Sequence, residues 1–271
     1  MNALLNATVL NATANESNSS NDLTSPAYWD AEWCAAGLSG EAVPASGAGK
    51  RGTLDKLLVS LLDATGSDAA DIMELGCAPG KMLQRMHTLR PRHRYHGVDY
   101  APKGLEMTRG FLGSASVDAV IHQADIRSFQ PLQEYDLVLS LGLVEHFPDP
   151  TEIFAAHRRI CRSGGLVAVT VPNYAHPLAK WFIRQLDPEA LKVHCLSIMN
   201  PESLRNHMVN AGLQEVRSGA SGPPTLRTAT SQLGLVRRAL RHAGRGWNAI
   251  APRIPKGLLW NSVIWATGRC P

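Results

Sequence analysis

The sequence predicts an α/β fold, a doubly wound and mostly parallel sheet with helices on both faces. Three observations carry this. From Lys50 onward, short apolar runs alternate with segments of helical periodicity. The first apolar run passes straight into a glycine turn, Gly76-Cys-Ala-Pro-Gly80. Carboxylates stand at the ends of three successive runs, as Glu74, Asp99 and Asp125.

The elements follow in order. Residues 53–62 place Leu54, Leu57, Leu58, Leu61 and Leu62 on one helical face. Residues 71–76 read as a buried strand, and the helix after the glycine turn points Met82, Leu83, Met86 and Leu89 inward until Pro91 ends it. A second strand spans 94–99. The next helix, 102–112, has proline in its first turn. Strands are expected at 117–122 and 135–140. Asp149-Pro-Thr-Glu152 carries an N-cap acid, a first-turn proline and a capping-box glutamate, so a helix follows to Cys161 and closes at Gly164-Gly165. Residues 166–171 form an apolar strand. Asn200-Pro-Glu-Ser repeats the capping chemistry before a helix ending at Gly212, and 214–218 and 258–267 supply the last strands.

Two segments interrupt this alternation, 173–199 and 219–257. The first holds Leu178, Trp181, Phe182 and Leu186 at helical spacing. Both leave the sheet where loops gather, which makes them the expected walls of a substrate pocket. Upstream, Tyr28, Trp29 and Trp33 cluster tightly; they either anchor a short helix to the core or form a lid over a ligand. Residues 1–25 are rich in Asn, Ser, Thr and Ala and read as a disordered tail, leaving one domain over 26–271. Four Asn-x-Ser/Thr triplets begin at Asn6, Asn11, Asn15 and Asn18, but no basic n-region or compact apolar h-region accompanies them.

Composition narrows the class. With 271 residues, 44% hydrophobic and 18% charged, the chain is built like an ordinary globular protein, and its apolar runs are far short of the ~20 residues of a membrane span. Five widely spaced cysteines without a C-x-x-C argue against a disulfide framework or a zinc site and fit a reducing cytoplasm, so no metal is expected. Net charge is +4, but residues 219–271 hold eight Arg or Lys and no Asp or Glu, so the rest of the chain is net −4. Leu233, Val236, Leu240 and Trp247 fall on one helical face beside a stripe of Arg237, Arg241 and Arg245. Three readings stay open for it: a cap helix packed on the domain, a foot on an anionic membrane, or a cationic wall facing an anionic acceptor. Nucleic acid is disfavoured, for no recognisable binding module accompanies the basic run.

At the glycine turn, Gly76 and Gly80 permit a sharp bend and close approach of a ligand. The turn lacks the G-x-G-x-x-G that seats a pyrophosphate, and Glu74 beside it would repel one, so a cationic ligand head fits better. Asp99, 19 residues past Gly80, suits bidentate bonding to ribose hydroxyls, and Asp125 suits the exocyclic amine of adenine.

In their order, ELGCAPG, GVDYAP, QADI, YDLVLSLGLVEHF and RSGGLVAVTVPN resemble the motifs of class I S-adenosylmethionine-dependent methyltransferases, nearest to the branch acting on small molecules and ubiquinone-like compounds. The resemblance covers about residues 70–218 and departs at Ala78, where the family usually has glycine, and at Pro79. It implies a Rossmann-like seven-stranded sheet whose last strand is antiparallel, with S-adenosylmethionine as cofactor. It implies Glu74, Gly76, Cys77, Ala78 and Gly80 around the methionine end, Asp99 on the ribose, Tyr100 stacked on the nucleoside, Asp125 and Ile126 at the adenine, and Ser140 and Leu141 beside the amino acid moiety. His146 lies just beyond the fourth strand and is the first candidate base, with a structural tie as its other reading; His194 is the second and Tyr174 the third.

The function expected from this is methyl transfer to a small-molecule acceptor, at oxygen before nitrogen because no Asn-Pro-Pro-Tyr follows the fourth strand. The acceptor is expected to be anionic or lipid-linked. The alternatives are a nucleotide-dependent oxidoreductase, which the turn disfavours, and a non-catalytic binding module on the same fold.

Overall fold

The computed structural model describes residues 22–35, 48–225, 235–253 and 261–271. Seven strands form one sheet in the order β3-β2-β1-β4-β5-β7-β6. They are β1 (Asp71–Leu75), β2 (Arg94–Asp99), β3 (Ala119–Gln123), β4 (Tyr135–Leu141), β5 (Cys161–Pro172), β6 (Gln214–Ser221) and β7 (Val263–Arg269). Neighbours from β3 to β5 run parallel, and β7 is antiparallel to both β5 and β6. The α/β doubly wound sheet with an antiparallel last strand is therefore present.

Alternation along the strands builds two cores. Ile72, Leu137, Leu139 and Ala168 face one side, where they meet Leu58 and Leu62 of α2 (Ala48–Asp63), Leu83 and Met86 of α3 (Lys81–Leu89), and Leu105 and Leu112 of α4 (Pro102–Ser114). Met73, Leu75, Val138, Val167 and Val169 face the other, against Ile153 and Phe154 of α5 (Thr151–Ile160) and Leu204 and Met208 of α7 (Pro201–Asn210). Each such aliphatic side chain gains roughly 1.5–3 kcal/mol from burial, which is what holds helices to both faces.

Boundary chemistry works as the sequence indicates at α7, where Asn200 Oδ1 accepts from the Ser203 amide at 2.8 Å. At α5 the Asp149 carboxylate accepts from the Thr151 amide at 3.0 Å. The helix stops at Ile160, and β5 starts at once instead of after Gly164-Gly165; a Cβ on Gly165 would lie 2.7 Å from Cys161 Sγ, so the chain folds back tightly there. The last strand begins at Val263, and residues 258–260 of the expected strand lie outside the described residues.

The two interrupting segments form α6 (Pro177–Leu186) with short 3-10 turns, and α8 (Leu235–Ile250). Trp247 of α8 packs with Phe182 on Ala179 and donates Nε1–H to the Pro224 carbonyl at 2.5 Å, so this ring of the apolar face turns onto the domain. Arg245 is exposed, whereas Leu233 and the side chains of Val236, Arg237, Leu240 and Arg241 lie outside the described residues. All five cysteines are free thiols. No helix among the described residues is long and apolar enough to cross a membrane.

Candidate active site

In the order β3-β2-β1-β4 the sequence in which strands are added reverses between β1 and β4, and a crevice opens there beyond the carboxyl ends of these parallel strands. A cavity of about 220 Å³ fills it. Its floor comes from Gly76 and Ala78 after β1, Asp99 and Tyr100 after β2, Asp125 to Arg127 after β3, and Leu141 to Leu143, His146 and Phe147 after β4. Trp29 and Trp33, from α1 (Pro26–Ala35), close its outer side.

Asp99 is fixed by the turn it faces: Oδ2 accepts from the Ala78 amide at 3.1 Å and Oδ1 from the Ala101 amide at 3.0 Å. Burial pushes its carboxyl above the usual range, while those backbone donors oppose the shift. Gly76, at φ +72°, could carry a Cβ only at strain, and that Cβ would touch Leu143 at 3.0 Å. The Tyr100 hydroxyl, bonded to Thr24, is pushed up to about 12, chiefly by burial.

A second cavity, of about 340 Å³, lies alongside and shares Leu141 and Gly142 with the first. Leu54, Leu57, Met82, Ala179 and Ile183 give it apolar walls, and Thr170, Asn173, Tyr174, Ser221 and Ser262 add neutral polar groups. Its described lining holds no charged side chain.

A family profile described as a methyltransferase domain matches residues 49–218, more than half of the chain. The chain belongs to this methyltransferase family. Trans-aconitate 2-methyltransferase of Escherichia coli O7:K1 is 33% identical over 107 residues, a stretch covering 39% of this chain and 41% of that enzyme. The same enzyme from Escherichia coli O45:K1 matches equally, so the chain aligns with well under half the length of these relatives. Among solved structures, the S-adenosylmethionine-dependent methyltransferase SibL in its apo form shares the fold at TM-score 0.55 and 17% identity, over 80% of this chain and 54% of that one. Phosphoethanolamine N-methyltransferase 2 of Haemonchus contortus, in complex with S-adenosyl-L-methionine, does so at TM-score 0.53 and 13% identity, over 80% and 52%.

S-adenosylmethionine is the cofactor of this methyltransferase domain, and the residues around the crevice suit it. A carboxylate stands at the end of β2, glycine backbone at the end of β1, and an apolar slot of Ile126, Leu143 and Phe147 beside them. Glu74 Oε2, buried beneath the turn, has no hydrogen-bond partner; desolvation first and Asp99 second raise its carboxyl well above the ordinary value.

Of the residues the sequence nominates, Gly76, Ala78, Asp99, Tyr100, Asp125, Ile126, Leu141 and His146 line the first cavity, and Tyr174 lines the second. Others stand back. Cys77 is a core residue whose Sγ would lie 2.7 Å from a Cβ on Gly97, so its side chain faces the sheet. Gly80, at φ +86° at the start of α3, packs on Thr108 of α4, where a Cβ would come within 3.0 Å, and does not line the cavity. Ser140 is fully buried and bonds His157, and the backbone bordering both cavities belongs to Leu141 and Gly142. Glu74 lies below the lining, and His194 beside it. The oxygens of Asp125 are engaged by Arg127, which bonds them through Nε at 3.0 Å and through Nη2 at 2.6 Å.

Arg127 was not singled out from the sequence, although it follows Asp125 by two residues. It also bonds Asp22 at 2.9 Å. The Leu23 amide donates to the His146 carbonyl at 3.1 Å, and Thr24 is buried against Trp29, whose Nε1–H it accepts at 3.1 Å. Residues 22–24, assigned to the tail on composition, are thus bonded to the loops of the site, and Thr24 lines the cavity. The aromatic cluster packs α1 against α4 and lines the first cavity. Trp33 abuts Gly104 of α4, while Trp29 stacks on Trp33 at 5.8 Å and meets the His146 ring edge-on at 5.0 Å.

Proposed function

We propose that this protein transfers a methyl group from S-adenosylmethionine to an oxygen of a small, neutral and largely apolar acceptor. The observation carrying this reading is the pair of cavities that meet at Leu141–Gly142, one furnished for a nucleoside and the other walled by aliphatic groups with scattered hydroxyls and amides. An anionic acceptor, expected from the basic C-terminal segment, is not favoured, since the described lining offers it no cation.

The cofactor supplies a methyl group already activated by a sulfonium. The protein's share is then alignment and exclusion of water. In this reading Asp99 receives the ribose hydroxyls, with its orientation preset by the Ala78 and Ala101 amides. Ile126, Leu143 and Phe147 enclose the purine, and Gly76 lets the backbone approach the methionine end. Asp125 acts through Arg127, holding the N-terminal segment against the crevice. Trp29 and Trp33 shield the donor from solvent. Tyr174, Asn173 and Thr170 orient the acceptor's polar atom toward the shared wall.

The test is calorimetric titration with S-adenosylhomocysteine and with NADH, followed by a turnover assay over an acceptor panel. Neutral phenols and alcohols are expected to be methylated, with the polycarboxylate trans-aconitate a poor acceptor. Binding of NADH alone, or turnover confined to polyanions, would overturn the reading.

A further inference from the structure

Where the loop after β4 meets the loop after α6, two histidines and a glutamate converge. Glu145 is 1% exposed, His146 5% and His194 7%. One potential ligand atom from each lies within 4.8 Å of the others. The imidazole rings of His146 and His194 are 4.6 Å apart between centroids.

The tautomers of both rings follow from their surroundings. His146 Nδ1 lies 2.7 Å from the Val193 carbonyl and His194 Nδ1 lies 2.5 Å from the Ala190 carbonyl. A carbonyl oxygen only accepts, so each Nδ1 carries the proton and donates, and in each neutral ring Nε2 carries the lone pair. This is the arrangement that orients a ligating histidine, with the second nitrogen fixed by a backbone carbonyl. The two loops are tied as well as juxtaposed. The Cys195 amide donates to the Glu145 carbonyl at 2.7 Å, so residues 193–195 are bonded to residues 145–146 from both sides of His194.

We propose that Glu145, His146 and His194 bind a divalent transition-metal ion of the zinc type. Two imidazoles and one carboxylate match the borderline-soft ions, whereas magnesium and calcium favour oxygen ligands throughout. An ion there adds the positive charge that a buried carboxylate favours. With bonds of ~2.0–2.2 Å to such an ion, ligand atoms in a tetrahedral site sit roughly 3.3–3.6 Å apart, and the three residues already bring one atom each within 4.8 Å.

Three protein ligands leave a coordination position open. The carboxylate of Glu145 turns toward Gly142, since Oε1 lies 3.3 Å from where a Cβ on that glycine would be, and Gly142 borders both cavities. His146 itself lines the first cavity. In the methyl-transfer reading, on which this last step rests, an ion held there would sit beside the donor cavity that His146 lines and would supply Lewis-acid polarisation to an oxygen reaching it past Gly142.

Ion binding is measured without turnover, so its failure and the failure of methyl transfer are separable. Chelator-stripped protein is titrated with Co²⁺, followed by its visible absorption, and then with Zn²⁺ in competition. The expected result is saturation at one ion per chain. The double substitution His146→Ala with His194→Ala should weaken binding by about 100-fold or more, while His87→Ala leaves it unchanged. Should circular dichroism show the double variant unfolded, the isosteric Glu145→Gln decides, with an expected loss of about 10-fold. No saturable cobalt spectrum in the wild-type protein, or the same affinity in a folded ligand variant, overturns the proposal.

Discussion

His157 reaches across the core from α5 to β4, its Nε2 3.0 Å from Ser140 Oγ while its Nδ1 donates to the Ile153 carbonyl at 2.7 Å. Because Nδ1 holds the proton, Nε2 accepts from the hydroxyl, and both side chains are fully buried. The pair pins the end of β4 directly beneath Leu141 and Gly142, the residues both cavities share.

Burial holds His157 neutral down to a pKa of about 4, against an ordinary 6.5. The unfolded chain binds a proton below 6.5 and the folded one does not until about 4, so the neutral ring's contribution is complete above 6.5. It is lost as the pH falls through that window, by about 3 kcal/mol in all. Urea denaturation of the wild type and of His157→Leu between pH 7.5 and 4 gives the difference. The wild type is expected to lose more stability than the variant as pH falls, and parallel curves would refute the assignment.

Asp99 makes the second case. Asp99→Asn keeps the shape of the side chain but removes the charge that the Ala78 and Ala101 amides share and that, in the proposed reading, receives the ribose hydroxyls. Hydrogen bonds to charged groups are worth ~1.5–3 kcal/mol, so S-adenosylhomocysteine affinity should drop roughly 10- to 100-fold by calorimetry. An unchanged affinity removes Asp99 from the donor site.

The strands and most helices were readable because apolar periodicity and turn residues are local signals. At the site the same holds for Gly76 and Asp99, which the turn and the spacing place at strand ends, whereas Tyr100, Ile126 and Leu141, which line the same cavity, were named through the family resemblance. What spacing cannot show is which way a side chain points. Cys77 and Ser140 lie in site motifs yet turn into the core, because alternation along the strand and turn sends them there. Contacts distant in sequence were equally hidden. Arg127 meets Asp22 across 105 positions, and His146 meets His194 across 48, so neither pairing leaves a motif.

Arg127 binds Asp125 and Asp22 at once, with its side chain only 14% exposed, and so clasps the N-terminal segment to the loop after β3. Arg127→Ala leaves two carboxylates without their shared cation. Amide hydrogen exchange over residues 22–35 should speed up about 10-fold, while the strands keep their protection. Unaltered exchange in that segment would show that the tryptophan helix is held by its own packing.

Gly142 combines two constraints, a φ of +80° and a place in the wall between the cavities. Gly142→Ala should cost about 1–2 kcal/mol from the left-handed backbone alone. Its added methyl also lies 3.3 Å from Glu145 Oε1, tighter than an ordinary contact, so either the loop after β4 or the carboxylate must shift. Turnover with a neutral acceptor should fall more than S-adenosylhomocysteine affinity does, since in the proposed reading Gly142 stands where the donor and acceptor cavities meet. Equal losses in both would place Gly142 in donor binding only, and would move the meeting point of the two substrates away from this strand end.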